Sequence, residues 1–337
     1  MAGWRRAAAS GNWLLLVEGG GPSDDKPTVT FEAPPDRDRV SASFTIRVPG
    51  CRGAYETLKA RGAEFLTPPV DHGRGVRAFF RDPDGHLFEI SEYVPQRSEP
   101  VDPSEVQALT FDVFGTVVDW RTCVAREAER IGAREGVQAN WLAFADRWRA
   151  GYQPSMQRVR AGDLPWINFD ELHLITLDET LEELGIAGFS PDARRELNTA
   201  WRKLDPWPDA VAGLTRLKAC YMIATLSNGN VSQLVALAKH GGLPWDAVLS
   251  AELSGHYKPD PEVYLSAASL LSLEPEQVLM VAAHPGDLQA AAGVGFRTAF
   301  VTRTLENGPE RAADAPSFPN ADVTARDFVD LADQLRA

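Results

Sequence analysis

The chain has 337 residues, with 34 Lys plus Arg against 47 Asp plus Glu and a formal net charge of −13, a length that accommodates two domains at about 100–200 residues each. Its 44% hydrophobic and 24% charged residues exclude a disordered chain, a collagen-like repeat and a coiled coil. The acidic balance lacks the concentrated basic face that nucleic acid requires, and no apolar run approaches the ~20 residues of a membrane span.

In chain order, short strand-like runs come first. Trp13–Val17, too short for a signal-peptide core, and Val29–Glu32 precede Phe44–Val48, where apolar and polar residues alternate. Arg52–Arg61 has helical spacing, with Ala54, Leu58 and Ala60 near one side. Val76–Arg81 and Leu87–Ile90 read as strands around Asp82-Pro83-Asp84-Gly85, in which proline presets one dihedral and glycine tolerates a positive one. From Ser43 onward the expected order is strand, helix and three strands. The stretch Tyr93–Pro103 holds three prolines without either hydrophobic period and reads as a linker.

Phe44–Val48, Arg52–Gly62 and above all Phe79-Phe80-Arg81-Asp82-Pro83-Asp84-Gly85-His86-Leu87-Phe88-Glu89-Ile90 resemble the glyoxalase/bleomycin-resistance (vicinal oxygen chelate) family. The resemblance implies domains of two βαβββ modules, and this chain has room for one module plus two leading strands. In metal-using members a glutamate late in the module is a ligand, and Glu89 occupies that place. The partner histidine is missing, with Ser41 or Ser43 standing there, and His72 and His86 read as loop residues. A divalent oxygen site needs several convergent ligands, so the expectation is a structural or interaction role without a tightly bound metal. An incomplete module leaves sheet edges uncovered, which favours packing on the rest of the chain or pairing of two copies in a homodimer.

After the linker the pattern changes. Leu109–Val113, Met222–Ser227, Val278–Ala283 and Thr298–Val301 are short apolar runs, each followed by a polar turn and a helical stretch, the pattern of a parallel sheet with helices on both faces. The segment from Arg121 to about Trp207 is amphipathic and helical, and longer than one crossover needs. It reads as a helical cap inserted over the carboxyl ends of the strands, where open α/β sheets place their sites. The tryptophans at 120, 141, 148, 166, 201, 207 and 245 are expected for the most part to pack in the cap or at interfaces. The three cysteines, Cys51, Cys123 and Cys220, lack the paired spacing of zinc ligands or a disulfide framework, and read as small buried side chains in a reducing cytoplasm.

Four polar motifs fall at strand ends. Phe111-Asp112-Val113-Phe114-Gly115-Thr116 places a carboxylate at a glycine turn, where Thr116 can orient it by hydrogen bond. Leu226-Ser227-Asn228-Gly229 offers a hydroxyl and an amide to an anion. His256-Tyr257-Lys258-Pro259 to Tyr264 supplies an ammonium able to neutralise a carboxylate. Val281-Ala282-Ala283-His284-Pro285-Gly286-Asp287 adds an acid able to hold Lys258 or orient water. Thr116 and Ser227 can equally serve as helix caps.

This motif set, with a helical insert after its first member, resembles the haloacid dehalogenase superfamily from about Gln107 to the C-terminus. Leu109–Trp120 and Lys258–Tyr264 look like L-2-haloacid dehalogenases in particular. The resemblance implies an α/β, Rossmann-like parallel-sheet hydrolase core with an inserted helical cap, preceded here by the small α+β (βαβββ) domain. The expected bounds are 1–95, a linker at 96–105, and 106–337 with the cap at about 121–207.

Phosphatases of the superfamily carry a second aspartate where this chain has Phe114, and often an acid where it has Ala283. Loss of both argues for a metal-free, cofactor-free displacement at carbon, since a halide leaves without protonation. The resemblance implies that Asp112 attacks C2 of a short L-2-haloacid, and that water then hydrolyses the aspartyl ester. Lys258 would keep Asp112 ionised and Thr116 would hold it. Ser227 would bind the substrate carboxylate, Asn228 would cradle the halide, and Phe114 and Phe169 would form apolar walls. Tyr264 matches the family tyrosine six positions after the lysine, and Asp287 is retained. A cap arginine should assist halide departure; Arg149 matches best, with Arg158 and Arg160 as alternatives.

Where the family shows Ser-x-Asn-x-x-Asp, this chain has Ala282, His284 and Asp287, so His284 either positions water or acts as a base, or merely bonds a neighbouring loop. A magnesium-dependent phosphatase or phosphonate hydrolase, and a non-catalytic binding protein, are the competing readings.

Overall fold

A computed structural model describes residues 5–9, 12–16, 44–48, 50–71, 75–82, 85–93, 102–314 and 316–337. The chain divides into two units, Met1–Tyr93 and Val94–Ala337.

In the first unit β1 (Arg5–Ala9) and β2 (Asn12–Leu16) form an antiparallel pair. The sequence then builds β3 (Phe44–Arg47), α1 (Cys51–Ala60), β4 (Glu64–Phe65), β5 (Val70–Asp71), β6 (Gly75–Arg81) and β7 (Leu87–Tyr93). The sheet order is β3-β7-β6-β4, with β5 also on β6. β3 runs parallel to β7, and β6 antiparallel to it. This is the expected βαβββ order, with one further two-residue strand. Cys51 and Tyr55 of α1 pack on Ala78 and Ile90 of the sheet. Glu89 accepts a hydrogen bond from Thr45 Oγ1 at 3.1 Å, and His86 pairs with Asp82 at 3.1 Å. The readings at 29–32, Ser41, Ser43 and His72 lie outside the described residues. No group of three or more His, Cys, Asp or Glu able to hold a metal ion occurs among the described residues.

The second unit begins with β8 (Ala108–Phe111), all four residues of which are buried. A strand covered on both faces needs a continuous apolar run rather than alternation, and the same holds for β9 (Met222–Ser227) and β11 (Val278–Ala282). With β10 (Ala247–Ser250), β12 (Arg297–Val301) and β13 (Val323–Ala325) they form a six-stranded sheet of order β10-β9-β8-β11-β12-β13. All its neighbours are parallel. The chain leaves β8 toward β9 on one side and β11 on the other, so the reversal of strand order lies beside β8. That is the switch point where side chains at the carboxyl ends can converge. Asp112 and Ala283 sit just past the strands rather than in them.

Between β8 and β9 come α2 (Trp120–Glu135), α3 (Trp141–Ala150), α4 (Tyr152–Arg160), α5 (Phe169–Glu183), α6 (Pro191–Asn198), a 3₁₀ turn at Thr199–Arg202, and α7 (Ala210–Cys220). Their starts are written locally. Asp119, Asn140, Asn168 and Ser190 each accept a backbone N–H of the first turn, which satisfies donors a helix start leaves free. Phe144, Trp148, Phe169, Leu172 and Trp201 of this helical insert join the core that contains Phe111 of the sheet. α8 (Val231–Gly241), α9 (Pro261–Leu270), α10 (Pro285–Gly293) and α11 (Phe328–Gln334) complete the unit.

One packing expectation is corrected, and one tryptophan stands apart from the rest. Cys51 and Cys123 are buried and free, but Cys220 is exposed, because α7 ends there, past its last core-facing position, Leu217. Trp166 is also exposed, covered on one side by Tyr257 at 6.3 Å between centroids. No described helix is long and apolar enough to cross a membrane.

Candidate active site

Asp112 follows the last residue of β8 and is anchored by its own N–H, which donates to the Val281 carbonyl at 3.0 Å. The next turn brings Thr116 back over it. The Thr116 hydroxyl donates to Asp112 Oδ2 at 2.7 Å and accepts the Ala283 N–H at 3.0 Å. Lys258 Nζ donates to Asp112 Oδ1 at 3.0 Å and to Asp287 Oδ2 at 2.5 Å. Tyr264, one helical turn into α9, donates its hydroxyl to Asp287 Oδ1 at 2.6 Å. His284, which precedes α10, places Nδ1 2.9 Å from Asp112 Oδ2.

Two strand ends and two helix starts thus deliver one buried cluster of charge. Burial alone would raise the Asp112 carboxyl, but the Lys258 charge and the bonds from His284 and Thr116 outweigh it, and Asp112 is held well below the ordinary carboxylate range. Lys258 is the mirror case. Burial opposes its charge, the two carboxylates overcome that penalty, and its ammonium is held above its usual range. Asp287 is pushed upward, mainly by burial and then by the neighbouring Asp112, against the pull of Lys258.

These groups open onto a cavity of about 390 Å³. Phe114, Phe169, Trp201 and Tyr152 form its apolar wall; Phe114 lies 6.2 Å from Phe169 and 5.9 Å from Trp201 between centroids. Ser227 and Asn228, at the end of β9, also line it. Asn228 Nδ2 donates to Tyr152 Oη at 2.7 Å, and its Oδ1 accepts the Lys258 N–H at 2.6 Å.

The three cap arginines separate cleanly. Arg149 lines the cavity; its guanidinium lies 4.4 Å from the Tyr152 ring centroid and 5.8 Å from that of Trp120. No ion pair to Arg149 is found among the described residues. Arg158 instead pairs with Glu179 at 2.9 Å and Arg160 with Asp260 at 2.9 Å and with the Lys258 carbonyl at 3.0 Å, and neither lines the cavity.

Asp112, Phe114, Phe169, Ser227, Asn228, Lys258, Tyr264, His284 and Asp287 line this cavity together with Arg149, and Thr116 holds Asp112 by its hydroxyl. Two neighbours were not legible beforehand. His173 is a buried imidazole against Phe169 and Trp201, kept neutral by burial and by the charge of Arg149. Glu306, in the loop after β12, meets His284 Nε2 at 3.0 and 3.1 Å and accepts Trp120 Nε1 at 3.0 Å. It belongs to no motif, and its only precursor in the sequence is indirect: a glycine at 115 beside the Asp112 turn.

An octahedral magnesium ion does not fit this donor set. It needs several free oxygens, whereas those of Asp112 are taken by Lys258, Thr116 and His284, and those of Asp287 by Lys258 and Tyr264. Phe114 supplies no ligand.

The fold and site define a capped α/β hydrolase with a strand-end aspartate. Residues 106–295 match the haloacid dehalogenase-like hydrolase family, and the chain belongs to that family. Residues 8–90 match the Glyoxalase/Bleomycin resistance protein/Dioxygenase superfamily.

The chain is similar to (S)-2-haloacid dehalogenase 1 of Pseudomonas sp. (strain CBS-3), with 33% identity over 215 residues, covering 63% of this chain and 90% of that protein. It is also similar to the crystal structure of a defluorinating L-2-haloacid dehalogenase, at 44% identity and a TM-score of 0.67, covering 71% of this chain and 100% of the other. A third similarity is to the L-2-haloacid dehalogenase of Xanthobacter autotrophicus with chloropropionic acid covalently bound. There the identity is 26% and the TM-score 0.58, over 69% of this chain and 99% of the other.

Proposed function

We propose that this protein hydrolyses short L-2-haloacids to 2-hydroxy acids through an ester on Asp112, without a metal ion. The observation that carries the reading is the pairing of an ionised, buried Asp112 with a cavity lined by Arg149, Lys258 and His284 against a single further carboxylate, Asp287, and by Phe114. Such a site neutralises a substrate carboxylate, and it has Phe114 at the position where the phosphatases of the superfamily carry their second aspartate. A leaving halide needs no proton.

In this reading an Asp112 oxygen forms a bond to C2 while the carbon–halogen bond breaks, and the halide departs with the electron pair. Arg149, free of any carboxylate partner among the described residues, receives the halide with Asn228 beside it. Ser227 and the neighbouring backbone amides take the substrate carboxylate. Phe114 and Phe169 keep bulk water away, which strengthens the electrostatics of the closed site. Lys258 balances Asp112 and Asp287, and Tyr264 fixes Asp287. Water then attacks Asp112 Cγ, with His284 poised at that carboxyl. The relatives named (S)-2-haloacid dehalogenase and the covalent chloropropionic acid structure support this assignment.

The test is halide release from L- and D-2-chloropropionate in the presence of a chelator, with hydrolysis of an aryl phosphate measured in parallel. Release from the L-enantiomer alone, undiminished by chelator, is expected. Magnesium-dependent phosphate release without halide overturns the reading.

A further inference from the structure

His284 stands between two carboxylates. Nδ1 lies 2.9 Å from Asp112 Oδ2, and Nε2 lies 3.0 and 3.1 Å from the two oxygens of Glu306. Glu306 is itself buried and fixed by the Trp120 indole at 3.0 Å. The backbone at Gly115 makes room for it, since a β-carbon there would overlap the Glu306 carboxylate. Placing an acid so deep is costly unless its partner is essential to its position.

We propose that Glu306 is a positioning residue that makes His284 the general base of ester hydrolysis, and that esterification of Asp112 is itself the switch that frees His284 to act as a base. The proposal rests on the aspartyl-ester reading above.

In the free protein the imidazole is held as a cation. Burial works against its charge, but Glu306 and Asp112 outweigh burial and push it up to about 10. A cation cannot accept a proton, so His284 is inactive as a base while Asp112 is ionised. The other groups around it are Lys258 and Asp287, paired with each other, Tyr264 on Asp287, and Arg149, whose charge acts on Glu306 from the cap. Alkylation of Asp112 removes one of the two anions that hold the imidazolium, and turns its acceptor into a weaker ester oxygen. His284 is 31% exposed and passes its proton to solvent, which is the proton that hydrolysis of a carbon–halogen bond releases overall.

The remaining Nε2–H stays on Glu306, so the Nδ1 lone pair faces the Asp112 carboxyl. The oxygen of water bonds to Cγ as its proton moves to Nδ1. The tetrahedral species then collapses: the bond from Cγ to the substrate oxygen breaks, its electron pair leaves with that oxygen, and the oxygen takes the proton from Nδ1. The carboxylic acid left on Asp112 returns its proton to Nδ1, which restores the starting ion pair.

Rapid-quench turnover of L-2-chloropropionate by wild type, Glu306→Gln, Glu306→Asp and His284→Asn tests this, reading the halide burst, the mass adduct on Asp112 and the pH profile of adduct hydrolysis. Expected for Glu306→Gln is a burst of about one halide per site, accumulation of the adduct, and hydrolysis slowed about 10²-fold or more with its pH profile displaced; Glu306→Asp recovers part of the rate. The burst in the same sample reports an intact fold and nucleophile. An adduct whose hydrolysis rate and pH profile are indifferent to Glu306→Gln and His284→Asn overturns the inference alone, as does loss of burst and hydrolysis in equal measure in all three variants. Halide release with no Asp112 adduct in any of them overturns the ester reading itself.

Discussion

Glu306 occupies the space that a β-carbon on Gly115 would need, and Gly115 adopts a φ of +87°. Two segments remote in sequence are therefore interlocked at the turn that carries Asp112. Gly115→Ala meets both a disfavoured backbone and a buried carboxylate. The expected cost is about 1–3 kcal/mol of stability, read by urea denaturation, together with loss of turnover as Glu306 is displaced. Unchanged stability and activity would show that the turn relaxes freely.

Asp112→Asn keeps the size of the side chain while removing its charge and nucleophilicity. Halide release from L-2-chloropropionate should fall by at least about 10³-fold, with no adduct in the mass spectrum. Retained halide release at more than a tenth of the wild-type rate would assign the nucleophile elsewhere.

Among the cap arginines, Arg149 faces the cavity and stacks on Tyr152 at 4.4 Å, while Arg158 pairs with Glu179 outside it. Arg149→Lys retains the charge but not the planar fork and its stacking, so kcat is expected to drop about tenfold or more. Arg158→Ala should leave kcat and KM within twofold. The reverse ranking would move halide assistance to the other helix.

The pH dependence of stability follows from His284. Its folded value is raised from 6.5 to about 10, so its contribution is fully present below about pH 6.5 and lost as pH rises through 10, on the order of a few kcal/mol. Asp112 and Glu306 are lowered, and their contributions run the other way, present above the ordinary carboxylate range and lost in acid. Denaturation of wild type and His284→Asn at pH 6.5, 8 and 10 should show a stability difference that narrows toward pH 10. A constant difference would mean that His284 is not held as a cation.

The legibility of the fold varied with burial. β8, β9 and β11 are nearly continuous apolar runs because helices cover both faces of the sheet, so composition alone marks them. The short edge strands β10 and β13 went unread. Each is only partly buried and too short, at four and three residues, to stand out by composition. In the first unit the alternation in Phe44–Val48 and the turn at Asp82–Gly85 were enough to mark β3, β6 and β7, while two-residue β4 and β5 are too short to have a period.

The site divides along the same physical line. Asp112, Thr116, Ser227, Lys258 and Asp287 were readable because each lies at a strand end or helix start, where local turn chemistry and an apolar run leave a signature. The choice among Arg149, Arg158 and Arg160 was not, since all three lie near the C-terminal ends of cap helices, and only the packing of those helices decides which one turns toward the cavity. Glu306 was invisible for a stronger reason. Its meaning comes from contacts with His284, 22 residues away, and with Trp120, 186 residues away, and no local pattern encodes such a meeting. By itself the sequence determined the buried central strands, the motif order and the family, because those follow from short-range periodicity and residue type. The tertiary structure alone decided which charges meet, and so how His284 is poised between two carboxylates, because pairing at that distance is set by the closing of the sheet and cap around one cavity.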